Sequence, residues 1–362
     1  MHAGNLIVGR VGTAPMLEVG VAAADVSFGA SLSNRAVALG RVRASHIVEV
    51  AEKAEASGLF DSVWVGDSII AKPRMEAVAT LCAIASRTER VKLGTACLAT
   101  FPLRHPVIFA HQWSSLDALS AGRSLLCVCM GGAGPADLVE AEFSTLGVSL
   151  TERIPRMLEG MRILRRLWSE DDVTHEGRFY QFEHVTIGPK PIQQPCPIWI
   201  ANSPKDPALI ERGFRRTARH ADGWMAGSLS PALFKERWDL MKRIRAEEKG
   251  TDVGFPVAMH FRANVNRDRE GAFREAKEFL DTYYSVDHGR RHLEEDCVIG
   301  TPEECVEKFV AYAEAGCSVI MIRLISWNPM EQLERWVTEV IPEVRKRLGT
   351  QAAASGGAAR VG

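Results

Sequence analysis

Along this chain, apolar runs of strand length alternate with segments in which apolar residues recur at helical spacing. "LEVGVAA" (17–23) opens the series. A helical stretch at 44–58 leads to the strand "DSVWVGD" (61–67), and a helix over 75–88 to "VKLGTACLA" (91–99). Then come a helix at 106–120, the strand "SLLCVCMG" (124–131) and a helix at 154–168. "PIWIA" (197–201), a helix at 207–220, "DGWMAG" (222–227), a helix at 231–248 and "FPVAMHFRANV" (255–265) continue the pattern. Helices at 269–284 and 302–316, the strand "SVIMIRLI" (318–325) and a helix over 331–348 close it. The strands are apolar on both faces, as in a parallel sheet covered by helices. Eight such units predict a closed (β/α)8 barrel. A doubly wound open sheet would want a Gly-rich phosphate turn after its first strand, and "VGVAAADVSFGAS" has no GxGxxG.

Three stretches break the alternation. Residues 132–150 form an insertion after strand four. Residues 173–190 read as a short hairpin turning at Glu176–Gly177. Residues 285–300, "SVDHGRRHLEEDCVIG", are charged and aperiodic; with Arg290, Arg291 and His292 they read as a mobile loop able to close as a lid. The expected organisation is one barrel domain over 1–348 and a disordered Ala/Gly/Ser-rich tail over 349–362.

Composition narrows the class of function. The 362 residues are 46% hydrophobic and 25% charged, with a net charge of −1. No basic run suits nucleic acid, no apolar stretch is long enough for a membrane span, and the N-terminus lacks a secretion-signal pattern. None of the eight cysteines forms a CxxC pair, which points to reduced thiols in a cytoplasm.

Barrel enzymes build their sites where the strands end. Those ends offer Asp25, Asp67 with Ser68, Thr95 to Thr100, Cys129 with Met130, Asn202 with Ser203, His260 with Arg262, and Arg323. They show no carboxylate pair of the hydrolytic kind, no metal-ligand spacing and no GxSxG elbow. A site so short of reactive groups favours an organic cofactor that the protein orients. "SPKDP" after strand five reads as a helix start capped by Ser203, either a plain cap or a phosphate site. The small residues at 94–97 would either admit a flat ring against the backbone or relieve crowding inside a narrow barrel. His105 before Pro106 is as much structural as functional. Cys129 on an apolar strand reads first as a core thiol. The glycines at 131–134 suit an anion nest or a flexible turn. Trp64, Trp199 and Trp224 read as core.

"GLFDSVWVGDS", "TERVKLGTACLATFPLRHP", "LDALSAGRSLLCVCMGG", "LRRLWSEDDVTHEGRFYQFEHVTIGPKPIQQPCPIWIANS", "ARHADGW" and "GTPEECVEKFVAYAEAG", in this order and spacing, resemble the bacterial luciferase-like flavin-dependent superfamily over about residues 45–348. The resemblance implies a (β/α)8 barrel that binds reduced flavin or a deazaflavin at its strand ends. It implies a non-proline cis peptide at Ala96–Cys97 behind the ring and a cofactor-phosphate site at Asn202 and Ser203. It puts Cys129 where luciferase has a reactive cysteine, and Asp67, Ser68, Thr95, Ala96, Cys97, Met130 and Gly131 around the cofactor. One departure matters: Ser68 stands where luciferase-type and several deazaflavin members carry a histidine, and serine does not titrate near neutral pH.

The leading expectation is an FMNH2-dependent monooxygenase fed by a separate NAD(P)H flavin reductase, since the chain shows no nicotinamide fingerprint. The alternatives are a deazaflavin-dependent oxidoreductase that transfers hydride without oxygen, and a non-catalytic flavin-binding protein. His260 and Arg262, two apart on strand seven, would face the mouth together, one moving a proton and the other holding an anion. The alternative is that one of them pairs with a carboxylate such as Asp25 or Asp67 as a structural bridge. A homo-oligomer, dimer or tetramer, is expected.

Overall fold

A computed structural model describes residues 26–358. Eight parallel strands close into a ring: β1 Ser27–Leu32, β2 Ser62–Val65, β3 Lys92–Thr95, β4 Ser124–Val128, β5 Ile198–Ala201, β6 Gly223–Gly227, β7 Val257–Val265 and β8 Val319–Leu324. Each pairs with its sequence neighbour, and β8 returns to β1 with Ser27 opposite Val319. This is the (β/α)8 barrel that the alternation predicts. "LEVGVAA" and Asp25 lie outside the described residues. The first barrel strand is instead "SFGASL", passed over by the sequence reading. Phe28, Ala30 and Leu32 face the outer helices, while Gly29 faces a barrel interior already filled by Trp64.

That interior is a layer of Trp64, Leu125, Cys127, Trp199, Met225, Ala258, Val319 and Met321. Trp64 and Trp199 meet at 6.1 Å between ring centroids. They fit because the neighbouring strands carry glycine. A Cβ on Gly94 would lie 2.7 Å from Trp64 Cδ2 and closer still to two other ring carbons, and one on Gly223 would lie 2.5 Å from Trp199 Cε2. Gly94 therefore relieves crowding in the barrel. On this layer, at the C-terminal mouth, rest the partly buried Ala96, Cys97 and Ala201.

The insertions are more ordered than their polarity suggests. Residues 132–150 contain the helix Ala136–Thr145, and the hairpin pairs Val173–Glu176 with Gln181–Val185. The segment read as a mobile loop instead holds the helix Arg290–Asp296 and a strand, Cys297–Gly300, parallel to the upper half of β7. Leu293, Cys297 and Ile299 pack with Phe279 and Tyr283, an apolar set hidden among charges. The last helix runs through Ala358, so the stretch read as a disordered tail continues it as far as that residue; alanine is the best helix former. Residues 359–362 lie outside the description. Among the described residues no helix is long and apolar enough to cross a membrane, and no group of His, Cys, Asp or Glu could hold a metal.

Candidate active site

The strand exits are laced together by buried polar side chains. Asn34, after β1, donates to Gly66 O (2.8 Å) and Met75 O (3.0 Å) and accepts from Gly66 N. Asp67 accepts from Thr100 N and Thr100 Oγ1, each at 2.7 Å, and from Arg104 Nη2 at 3.2 Å. It joins the β2 and β3 exits, with its oxygens taken up by these contacts. Ser68 Oγ donates to Glu142 Oε1 at 3.0 Å, and the same oxygen accepts from Ile69 N and Ile70 N. Ser68 thus anchors the 132–150 insertion to the mouth. Thr95, fully buried, exchanges hydrogen bonds with the Cys127 backbone. These three residues tie together the loops at the barrel mouth.

Ala96, Cys97, Met130 and Gly131 sit at the open end, all partly exposed. The Ala96–Cys97 peptide is cis, as the resemblance implies. Gly131, at φ +69°, passes so close to β3 that a Cβ would lie 2.6 Å from Ala99 O. Cys129 is joined to Cys97 by a disulfide with Cα atoms 6.0 Å apart. Two readings are corrected here. Cys129 offers no free thiolate, because its sulfur is bonded, and the cysteines are not all reduced. The reason is spatial: the adjacent β3 and β4 exits bring together thiols 32 residues apart in sequence. The other six are free.

The β5 exit also differs from its reading. Asp206, not Ser203, caps the next helix, Pro207–His220, accepting from Ala208 N. Ser203 Oγ accepts from Gly227 N at 3.0 Å and ties β5 to β6. The Asn202 amide nitrogen donates to Gly213 O (3.1 Å) and Thr217 Oγ1 (2.6 Å), while its Oδ1 is buried without a partner. A phosphate oxygen only accepts, so it cannot satisfy Oδ1, whereas a hydroxyl-bearing chain can. Arg153, without an ion-pair partner among the described residues, lies against Gly132.

Strand seven does bring His260 and Arg262 to the mouth, both half-buried. Neither bridges to Asp67, and Asp25 lies outside the described residues. His260 Nε2 lies 3.1 Å from Ser31 Oγ, and burial, reinforced by Arg323, holds the imidazole well below its ordinary range, hence neutral. Arg262 lies 3.9 Å from Asp296. Around them are residues the sequence reading missed: Arg35, Lys72, Arg74, Tyr283 and Tyr284. The Arg323 guanidinium donates to Tyr284 Oη at 2.7 Å. Burial raises that phenol, but Arg323, Arg74, Arg262 and Lys72 outweigh it and bring it down to about 8.

The family model for luciferase-like monooxygenases matches residues 18–296. An F420-dependent glucose-6-phosphate dehydrogenase of Amycolatopsis mediterranei is 27% identical over 332 residues, covering 83% of this chain and 94% of that protein. One from Intrasporangium calvum is 34% identical over 160 residues, 43% of this chain and 47% of its own. Among solved structures, the monooxygenase RslO1 of Streptomyces bottropensis superposes with TM-score 0.74 at 24% identity, covering 88% of this chain and 99% of that one. An F420-dependent secondary alcohol dehydrogenase gives TM-score 0.72 at 21%, with the same coverage. Both superpositions show the fold alone. With the family model spanning most of the chain, on a closed barrel with its polar groups gathered at the strand ends, the chain belongs to the luciferase-like monooxygenase family of oxidoreductases.

Proposed function

We propose that this protein is a deazaflavin-dependent oxidoreductase that moves a hydride between an F420-type cofactor and a small organic substrate, without oxygen. The observation that carries the reading is the likeness, along four-fifths of the chain, to proteins named as F420-dependent dehydrogenases. The site fits such a group. Ala96, Cys97 and Ala201 present a small, apolar shelf; Asn202 Oδ1 lacks a donor; Arg153 lacks a counter-charge among the described residues.

The cofactor, when bound, supplies a two-electron hydride acceptor. The chain supplies the rest. The shelf and Gly131 would admit a planar group, and Asn202 Oδ1 would hold a hydroxyl on the chain that such a group carries. The buried Asp67–Thr100–Arg104 set holds the shelf's loops in place. With Ser68 unable to serve as base, neutral His260, its Nε2 against Ser31 Oγ, is placed to take the proton that an alcohol loses as its hydride leaves.

Anaerobic titration of the purified protein with oxidised F420 and with reduced FMN tests this. F420 should bind at least roughly tenfold tighter, a difference of about 1.4 kcal/mol. Tighter binding of reduced FMN would overturn the proposal and point to an oxygen-using enzyme fed by a separate reductase.

A further inference from the structure

Four cations meet at the mouth, and among the described residues no carboxylate pairs with them. Arg35 follows β1, Lys72 and Arg74 follow β2, and Arg323 ends β8. The three guanidinium groups converge on one ring: their central carbons lie 5.8, 5.4 and 5.5 Å from the Tyr283 centroid, respectively. Lys72 Nζ lies 5.1 Å from the Tyr284 ring centroid. Neighbouring arginines have acidic partners: Arg104 pairs with Asp67 and Glu76, and Arg262 lies near Asp296. Among the described residues these four have none, and only the phenols and Ser31 accept from them.

Their donors are also incompletely used. Arg35 is 7% exposed and Arg323 2%. Arg35 Nε and Nη1, Arg74 Nε and Arg323 Nε are buried without a hydrogen-bond partner. Buried guanidinium N–H groups are costly to leave unmade, and native interiors rarely leave several in one place. Burial, and then Arg74, lower Arg35; burial, with the three arginines, lowers Lys72. The fold has gathered like charges that repel one another and left their donors open.

We propose that this cluster is the subsite for a dianionic oxyanion of the phosphate-monoester class carried by the substrate. Guanidinium forks match tetrahedral oxyanions, and a doubly charged group answers several cations better than a carboxylate does. The cluster borders Ser31, which also contacts His260, so an oxyanion held here places the rest of a small substrate beside the proton-accepting group. The assignment to the substrate rests on the deazaflavin reading above.

The test uses the full-length protein, inorganic phosphate as probe and calorimetric titration in low-chloride buffer. Wild type should bind phosphate saturably, one per chain. Arg74→Gln and Lys72→Gln should each weaken it roughly tenfold or more, the loss of a charge-assisted contact, and acetate should bind far more weakly than phosphate. Arg74→Gln should lose most of the rise in Tm that phosphate gives wild type, whatever its own melting point in phosphate-free buffer. No saturable binding, or a phosphate response kept in Arg74→Gln, overturns the subsite. Titration with F420 and with its chromophore lacking the phosphodiester tail separates the two possible owners of the anion. If Arg74→Gln weakens F420 but not the tail-less chromophore, the cluster serves the cofactor's tail and the substrate assignment fails. If wild type binds phosphate in an Arg74-dependent way yet binds no deazaflavin, the oxyanion subsite stands and the cofactor reading falls.

Discussion

Replacing Gly94 by alanine should destabilise the barrel from within. The new Cβ would sit 2.7 Å from Trp64 Cδ2, against an ordinary carbon contact of about 3.5–4.0 Å. Two other ring carbons are closer still, so no small rotation clears the clash. Trp64 has little room: Gly29 lies on another side, Trp199 at 6.1 Å, and its Nε1 donates to Ser62 Oγ at 2.8 Å. Displacing the ring costs about 1–3 kcal/mol for overpacking and about 1 kcal/mol more if the Ser62 bond breaks, hence about 2–4 kcal/mol. Urea and thermal denaturation of Gly94→Ala read that loss. The decisive comparison repeats the substitution in a Trp64→Leu background, where the space exists and the cost should fall below about 1 kcal/mol. Equal costs in both backgrounds, or unchanged stability in Gly94→Ala with only cofactor affinity reduced, would refute the packing argument and make Gly94 a cofactor-facing residue.

Two further outcomes are expected. Thiol titration of the denatured, unreduced protein should find six reactive cysteines of the eight, since Cys97 and Cys129 are joined; eight would show that the bond does not form. The Tyr284 phenol, at about 8 when folded and about 10 when unfolded, binds fewer protons in the folded state between those values. Its contribution is therefore fully present above about pH 10 and lost as pH falls through about 8. The stability difference between wild type and Tyr284→Phe should grow with pH over that window, and parallel curves would count against the ionisation.

The barrel was legible because seven of its strands are apolar on both faces and alternate with helical periods. The first was not, because a narrow interior holding Trp64 wants glycine and serine on the inward face, and "SFGASL" therefore looks less like a strand than "LEVGVAA" does. The placing of Ala96 and Cys97, and of His260 and Arg262, at the mouth was readable, since each pair is local to one strand. Ser203 was misread as a cap because Ser-Pro and Asp-Pro both look like helix starts, and the chain uses the second. The roles of Asp67 and Ser68 depend on Thr100, Arg104 and Glu142, which only folding brings near. The cation cluster was invisible for the same reason. Its members come from the exits of three strands; Arg323 was readable at a strand end, but Arg35, Lys72 and Arg74 each read alone as a solvated surface charge.

β7 has a division of labour along its length. Val257–His260 bond to β6 and Ala258–Ala263 to β8, closing the ring; Arg262 and Ala263 also pair on their other side with the added strand Cys297–Gly300, and Asn264 and Val265 carry that strand on above the ring. The chain between, residues 266–296, leaves from the top of β7 and returns beside it, so its length hardly constrains closure below. It also brings Tyr283 and Tyr284 down onto the arginines. The rim can therefore diverge as a separate module, acquiring new tyrosines, histidines or charges over one sector of the mouth, while the register that sets the barrel's shape stays untouched. Related chains with this parapet should differ in the identity and length of 266–296 far more readily than in 257–263, and their choice of substrate should follow the former.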